Sequence, residues 1–597
     1  MSTISPLTNY KLEWDLTQLY ATKDVHKNVE ADVRKVERAI DAFAKKYSKN
    51  KRHLKDPKAL RYALEESEKM SAMPEMSRPY MYFAYIRELD STDQEAEAMI
   101  NKLTDRLTKA ENKLIFFDLE LGKIPISVQK KFLKSKELQP YRYNLEQLFE
   151  NSKYHLTEAE EKILNLKSFT SRSLWVQGFE KLLNKQMIEH KGKEIPLAEA
   201  ANLIQMLPLE ERRDLHARMM AQVRGISDFA ESEINAVVHD KKINDELRGF
   251  KHPYSATILR YENDEKSVLN LVKTVTDHFG VAHRFYKLKA KMLGLPKLTY
   301  ADRSAKVGET HKKIPFKEAV EIVRGVFYGA HSRYGEIFDR FLTNGQIDVY
   351  PKKGKTGGAF CSHSTNLPTF VLLNHVDDFH SVSTLAHEMG HAIHSERSKE
   401  QPVRYQDYTT SVAETASTLF ENILFNAIFK ELTPQEQVIA LHDKLEGNIA
   451  SICRQIACFN FELELHTSIR NKGSLSKEEI AALLNSHMAA YLGPSVELHE
   501  NDGYFFTKWS HIRNFFYVYS YAYGELISKA LYERYQEDPS YIESIDTFLS
   551  AGGSKKPEAI FKDIGIDTSK PSFFASGMKS IEKDVDQLEK LLAKRTI

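Results

Sequence analysis

The sequence predicts a mostly α-helical, multi-helix protein with one small β-sheet beside a histidine-rich helix, and three observations carry that expectation. Apolar residues recur three and four apart between charged ones over most of the chain, as in "AEAMINKLTDRLTKAENKLIFFDLEL", the spacing of an amphipathic helix face. One region alone, Ile347 to His375, breaks into short β-prone runs, "IDVY", "AFCS" and "TFVLL", separated by Gly, Lys, Ser and Pro. Directly after it, "HSVSTLAHEMGHAIHSE" (His380 to Glu396) returns to helical spacing. Leu385, Met389, Ala392 and Ile393 supply its apolar face, and Ser381 or Ser383 is placed to cap its start.

In chain order, Asp24 to Leu183 reads as a helical bundle. At "NKQMIEHKGKEIPLAEA" (Asn184 to Ala200) two short extended pieces flank a turn at Lys191, Gly192 and Lys193. A boundary there separates an N-terminal helical domain, residues 1–190, from a larger domain, residues 191–597. Helical text resumes from Glu210 to Phe341, with loops near Pro253 and Pro296, and after the histidine-rich segment it fills Tyr408 to Lys430, Pro434 to Lys472 and Trp509 to Tyr535.

With 42% apolar and 28% charged residues the chain has the composition of an ordinary globular protein. Its 84 Lys and Arg nearly cancel 83 Asp and Glu, so neither nucleic acid nor an anionic membrane is favoured as a partner. Cys361, Cys453 and Cys458 are too few for a disulfide framework and lack zinc-ribbon spacing, so they are expected as buried thiols in a reducing compartment. The opening "MSTISPLTNYKLEWDLTQLY" does not read as a secretory signal, and no apolar run reaches the roughly 20 residues of a membrane span. A cytoplasmic location is expected.

The chemistry centres on "AHEMGHAIHS" (Ala386 to Ser395). On a helix His387 and His391 stand one turn apart on one face, where two imidazoles can share a zinc ion, and Glu388 lies beside them. Zinc lowers the pKa of a coordinated water towards about 7, and a neighbouring carboxylate can take its proton during attack on a carbonyl, which is peptide hydrolysis. Gly390 costs about 1 kcal/mol within a helix relative to Ala, which suggests a close backbone approach.

A catalytic zinc wants three protein ligands. His394 lies roughly 10 Å along the axis from His387 at about 1.5 Å per residue, a long reach for a shared ion. Glu414, in "YTTSVAETASTLFENILF" (Tyr408 to Phe425), sits among Val412, Ala413, Ala416 and Leu419, small and apolar neighbours that permit tight packing on the first helix. Glu414 is therefore the expected third ligand, with His394 in a supporting or structural place.

At these residues the sequence resembles the oligoendopeptidase F group of the thimet-oligopeptidase-like metallopeptidases. "HEMGH" with Glu414 in "VAETAS" is similar to that family's zinc site, and Ser417, Glu421 and Asn422 continue its pattern. "DVYPKKGKTGGAF" (Asp348 to Phe360) resembles its substrate loop, and "WDLTQLY" (Trp14 to Tyr20) its N-terminal opening. "WSHIRNFFYVYSYAYGE" (Trp509 to Glu525) resembles the family's histidine and tyrosine signature, with a shorter spacing.

The resemblance implies one zinc per chain held by His387, His391 and Glu414, with Glu388 as general base. It implies His511 and Tyr519 as oxyanion donors, Tyr517 or Tyr521 being alternatives to Tyr519. Gly357, Gly358, Ala359, Tyr517 and Tyr521 are then expected to contact substrate, short oligopeptides cut internally within a deep channel. Release of C-terminal dipeptides is the alternative activity, and a silent peptide-binding protein the alternative class. The small sheet, with Gly357 and Gly358 at its side, can lend an edge to an extended peptide.

Overall fold

The computed structural model describes residues 7, 9–21, 23–308 and 313–594. The chain forms two compact units, each assembled from three stretches: Met1–Lys153, Lys312–Ala427 and Leu531–Ile564 in the first, Tyr154–His311, Ile428–Ala530 and Gly565–Ile597 in the second. The expected boundary at residue 190 falls inside an uninterrupted stretch of the second unit. Among the described residues no helix is long and apolar enough to cross a membrane.

In the first unit, the helix Val25–Lys49 buries Val29, Val33, Val36, Ile40 and Phe43, the three-and-four spacing legible in its sequence. Pro57–Ser71, Arg78–Leu89 and Gln94–Glu111 continue the layer. The sheet consists of β1 (Ile347–Asp348), β2 (Phe360–Ser362) and β3 (Phe370–Leu372), in the order β1-β3-β2. β3 is parallel to β1 and antiparallel to β2, with Cys361 opposite Val371. Buried Trp14 pins this sheet by donating its indole N–H to the Val371 carbonyl at 2.8 Å.

The sheet leads into α1 (Phe379–Ser398), whose N-cap is Asp378 rather than either serine: its carboxylate accepts the Ser381 N–H at 2.8 Å. α2 (Thr410–Phe429) follows and buries Val412, Ala416, Leu419 and Phe420. The two helices meet backbone to backbone. A Cβ on Gly390 would lie 2.7 Å from the Ser417 Cα and 3.1 Å from the Ala416 carbonyl oxygen, closer than carbon atoms approach without displacement.

The second unit contains the expected hairpin, Met187–His190 antiparallel to Lys193–Pro196, turned by Lys191 and Gly192 at positive φ. It also holds a parallel pair that sequence reading missed, Leu298–Thr299 with Val496–Glu497. The helical run from Pro434 passes through a π-helical turn at Ala450–Arg454 into α3 (Gln455–Lys472). The segment Trp509 to Tyr535 is not one helix. A short 3₁₀ turn, Ser510–Arg513, precedes α4 (Tyr519–Glu537), and between them Phe515 and Phe516 adopt φ of 50° and 61°.

Gly390→Ala tests the helix contact. The gain in helix propensity is about 1 kcal/mol, whereas forcing a methyl into packed backbone costs about 1–3 kcal/mol. A lower melting temperature is expected, together with weaker metal retention after dialysis, because α2 carries one of the three convergent side chains.

Candidate metal centre and its surroundings

α1 projects His387 and His391 from successive turns, and α2 brings Glu414 against them. Glu414 Oε2 lies 3.6 Å from His387 Nε2 and 3.8 Å from His391 Nε2, and the three donor atoms fall within 4.8 Å of one another. Tetrahedral ligands at about 2.1 Å from zinc stand about 3.4 Å apart, so a small inward movement of this nitrogen-rich set fits the ion. Ser417 Oγ donates to Glu414 Oε2 at 3.3 Å and steadies it. Among the described residues one other cluster is as dense, His442, Asp443 and Glu446, but there Glu446 is taken by the Lys289 ammonium at 2.6 Å.

His387 Nδ1 faces Glu421 Oε2 at 3.2 Å, an arrangement that turns Nε2 towards Glu414. Burial disfavours the imidazolium, but the hydrogen bond and charge of Glu421, with Glu388 and Glu414 near, outweigh it and raise its pKa to about 9. Burial and the His387 charge push His391 down to about 3. Without an ion the proton thus sits on one ring, where a divalent cation would replace it. Glu388 is 7% exposed. Burial raises its carboxyl to about 7, opposed by His387 and by the Cys361 N–H and reinforced by Glu414. Sequence reading noticed Glu421 only as part of a pattern; its function as partner of His387 needs the helix pair in place.

His387, Glu388, His391 and Glu414 border a cavity of about 410 Å³ whose wall includes Ala359 and, from the β2 edge, Phe360 and Cys361. Cys453 and Cys458 are buried thiols as expected, whereas Cys361 is partly exposed on this wall. His363 and Tyr408 also line it and were not anticipated. Tyr408 stacks on His394, with ring centroids 3.7 Å apart and planes at 9°. His394 is fully buried with neither nitrogen paired, and the geometry leaves it out of the ligand set. Upstream, Gly358 has φ of 78° and its carbonyl accepts from Asn374 Nδ2 at 2.8 Å, while nothing lies within 4 Å of a Cβ on Gly357. Lys355, its side chain fully buried, pairs with Asp348 Oδ1 at 2.6 Å and ties the loop to β1.

The second unit gathers His511, Tyr517 and Tyr521. His511 Nδ1 and the Tyr517 hydroxyl are hydrogen-bonded, and the Tyr521 ring lies 6.0 Å from His511 and 5.9 Å from Tyr517. Burial, then Arg454, lowers the His511 pKa, and burial with the Tyr521 hydroxyl raises that of Tyr517. Tyr519 lies apart from this group: its side chain is fully buried and its hydroxyl donates to Asn263 at 2.9 Å. On α4, two residues of separation turn it away from the face that carries Tyr521. Each left-handed phenylalanine upstream costs about 1–2 kcal/mol, strain that persists only where surroundings enforce it.

Glu414→Ala is expected to abolish zinc retention through dialysis, and His394→Ala to leave it nearly intact, as read by metal content per chain. The reverse ranking would make His394 a ligand.

A sequence model of Peptidase family M3 matches residues 210–580, and one of Oligopeptidase F matches residues 120–187. The chain is 28% identical to the group B oligopeptidase PepB of Streptococcus agalactiae, covering 98% of each. It is 26% identical to the oligopeptidase PepF of Bacillus subtilis, over 87% of this chain and 80% of that one. The crystal structure of oligoendopeptidase F from Enterococcus faecium shares the fold at a TM-score of 0.71 and 19% identity, covering 96% of this chain and 100% of that one. With the family's peptidase region spanning well over half of its length, the chain belongs to peptidase family M3 and is a metalloendopeptidase.

Proposed function

We propose that this enzyme is a zinc-dependent oligoendopeptidase that cuts internal bonds of short peptides in the cytoplasm, with one zinc held by His387, His391 and Glu414. The convergence of those three donors on two helices carries the proposal, and the PepB and PepF names of its relatives agree with the substrate class. The absence of disulfides among three free cysteines fits a reducing compartment.

When bound, zinc supplies Lewis acidity towards a peptide carbonyl and an attacking water. Glu388 accepts the proton of that water at its carboxylate and passes it to the departing amine; burial keeps its pKa near the pH at which both transfers are feasible. Glu421 accepts from His387 Nδ1–H and holds the ring's other nitrogen on the cluster. The β2 edge, paired on one side by β3, offers backbone groups to an extended substrate, beside Gly357, Gly358 and Ala359. His511 with Tyr517 or Tyr521 is assigned the oxyanion donors, on the family's histidine and tyrosine pattern and on their pairing within the second unit.

Mass-spectrometric mapping of products from a mixed peptide library, with chelator and then restored zinc, tests the activity: internal cleavage lost and regained is expected, and release of C-terminal dipeptides alone would replace the reading. Glu388→Gln should keep about one zinc per chain and lose nearly all turnover, since it removes the base and keeps the ligands. Near wild-type hydrolysis by the metal-loaded variant would sink the mechanism. Tyr517→Phe or Tyr521→Phe should lower kcat by about 100 to 1000 fold with zinc content unchanged, and Tyr519→Phe should act on stability alone. A silent outcome for both Tyr517 and Tyr521 would leave the ring cluster as packing.

A further inference from the structure

The bend at Phe515 and Phe516 separates His511 from Tyr517 and Tyr521, and it is held on every side. Before it, Arg513 forms two bonds to buried Glu233, at 2.9 and 2.7 Å, and donates to the carbonyls of Phe506, Thr507 and Trp509. At the bend, Thr257 Oγ1 donates to the Phe515 carbonyl at 2.8 Å, and the Phe516 N–H donates to Glu462 Oε1 at 3.0 Å. After it, Tyr519 is tied to Asn263.

Glu462 is the unusual member. It sits on α3, fully buried, with its other carboxylate oxygen unpaired in the protein. One turn further, His466 is buried with both nitrogens unpaired and its ring 4.9 Å from that of Phe516. A carboxylate in such a place is costly, and aliphatic residues would pack there without penalty. A left-handed phenylalanine also prefers to relax unless its N–H is claimed. The two unfavourable features answer each other through one hydrogen bond.

We propose that Glu462 is a positioning residue for peptide hydrolysis: by claiming the Phe516 N–H it enforces the left-handed bend and thereby sets His511 against the hydroxyls of Tyr517 and Tyr521. This rests on the assignment of those three side chains as oxyanion donors. Burial, partly offset by the Phe516 N–H, raises the Glu462 carboxyl to about 8, so around neutral pH it is largely a neutral acceptor that glutamine can imitate.

Steady-state kinetics on the zinc-loaded full chain tests the role, with Glu462→Gln and Glu462→Met compared at equal zinc content. Glu462→Gln is expected to keep kcat within a few fold. Glu462→Met, similar in volume and without an acceptor, is expected to lower kcat by about 10 to 100 fold with KM within a few fold, the order of loss that misplacement by about an ångström produces. Should Glu462→Met not fold, Glu462→Asp, one methylene short of the N–H, takes its place with the same expectation. A melting temperature that falls while kcat per zinc-loaded chain stays at wild type would overturn the proposal, as would Glu462→Gln losing as much kcat as Glu462→Met. Tyr517→Phe and Tyr521→Phe are measured alongside: if both are silent the donor assignment fails, and if either is crippling while Glu462→Met is not, only the positioning role fails.

Discussion

The candidate metal centre depends on a close contact between two helix backbones. Gly390 lets α1 approach α2 until its Cα faces the Ser417 backbone, and that approach sets how far Glu414 must reach to His387 and His391. Donors on one helix converge through the i, i+4 repeat. A donor on a second helix converges only if the interaxial distance is short, and side chains larger than hydrogen at the crossing lengthen it. The small residues Ala416 and Ser417 lie at the same crossing, and glycine alone serves at the closest point. A helix-interior glycine that weakens the isolated helix thus strengthens the pair.

The electrostatics follow from that closeness. Glu388, Glu414 and Glu421 surround two imidazoles, and in the metal-free chain the proton on His387 offsets part of their repulsion. Because the folded pKa of His387 is raised from 6.5 to about 9, its contribution to stability is present below about 6.5 and is lost as pH rises through about 9. Glu388 shifts in the same direction. Its folded pKa is raised from 4.5 to about 7, so the stability its protonated form contributes is present below about 4.5 and gone above about 7. Around pH 7 the site thus holds a carboxyl group whose ionised form burial disfavours, a condition suited to the proposed base.

Much of this was legible because it is local. Helical periodicity, the turn at Lys191 and Gly192, the three short strands and the histidine spacing are properties of neighbouring residues, and Gly390 announced the helix contact by its cost. The approach of Glu414 to His387 and His391 was legible from its unusual company of small apolar residues. The parallel pair of Leu298–Thr299 with Val496–Glu497 joins stretches nearly two hundred positions apart, and two-residue strands carry no alternation to read. The Asp378 cap was missed because Ser381 also suits a cap, and only the helix start decides between them. The placement of Tyr519 away from His511 was hidden for a physical reason: reading Trp509 to Tyr535 as one helix hides the bend, and the bend decides which tyrosines meet His511.

The two sets of proposed functional groups are therefore held by different physics. Around α1 and α2 the positions follow from close packing of backbone and small side chains, where each residue sits in a favourable conformation and the constraint is steric. Around His511 the chain is held in an unfavourable conformation by polar tethers from Glu233, Thr257, Asn263 and Glu462. Steric constraint is insensitive to the identity of the polar groups nearby but intolerant of added volume. Tethered strain is the reverse, since the left-handed pair has a ready alternative whenever a tether is removed. A ligand cluster must keep its donors within a few tenths of an ångström of an ion, and close packing gives that rigidity. A hydrogen-bond donor to a developing charge must instead match a position that exists only in the transition state, and a bend held by adjustable polar contacts can be tuned to it without repacking a core.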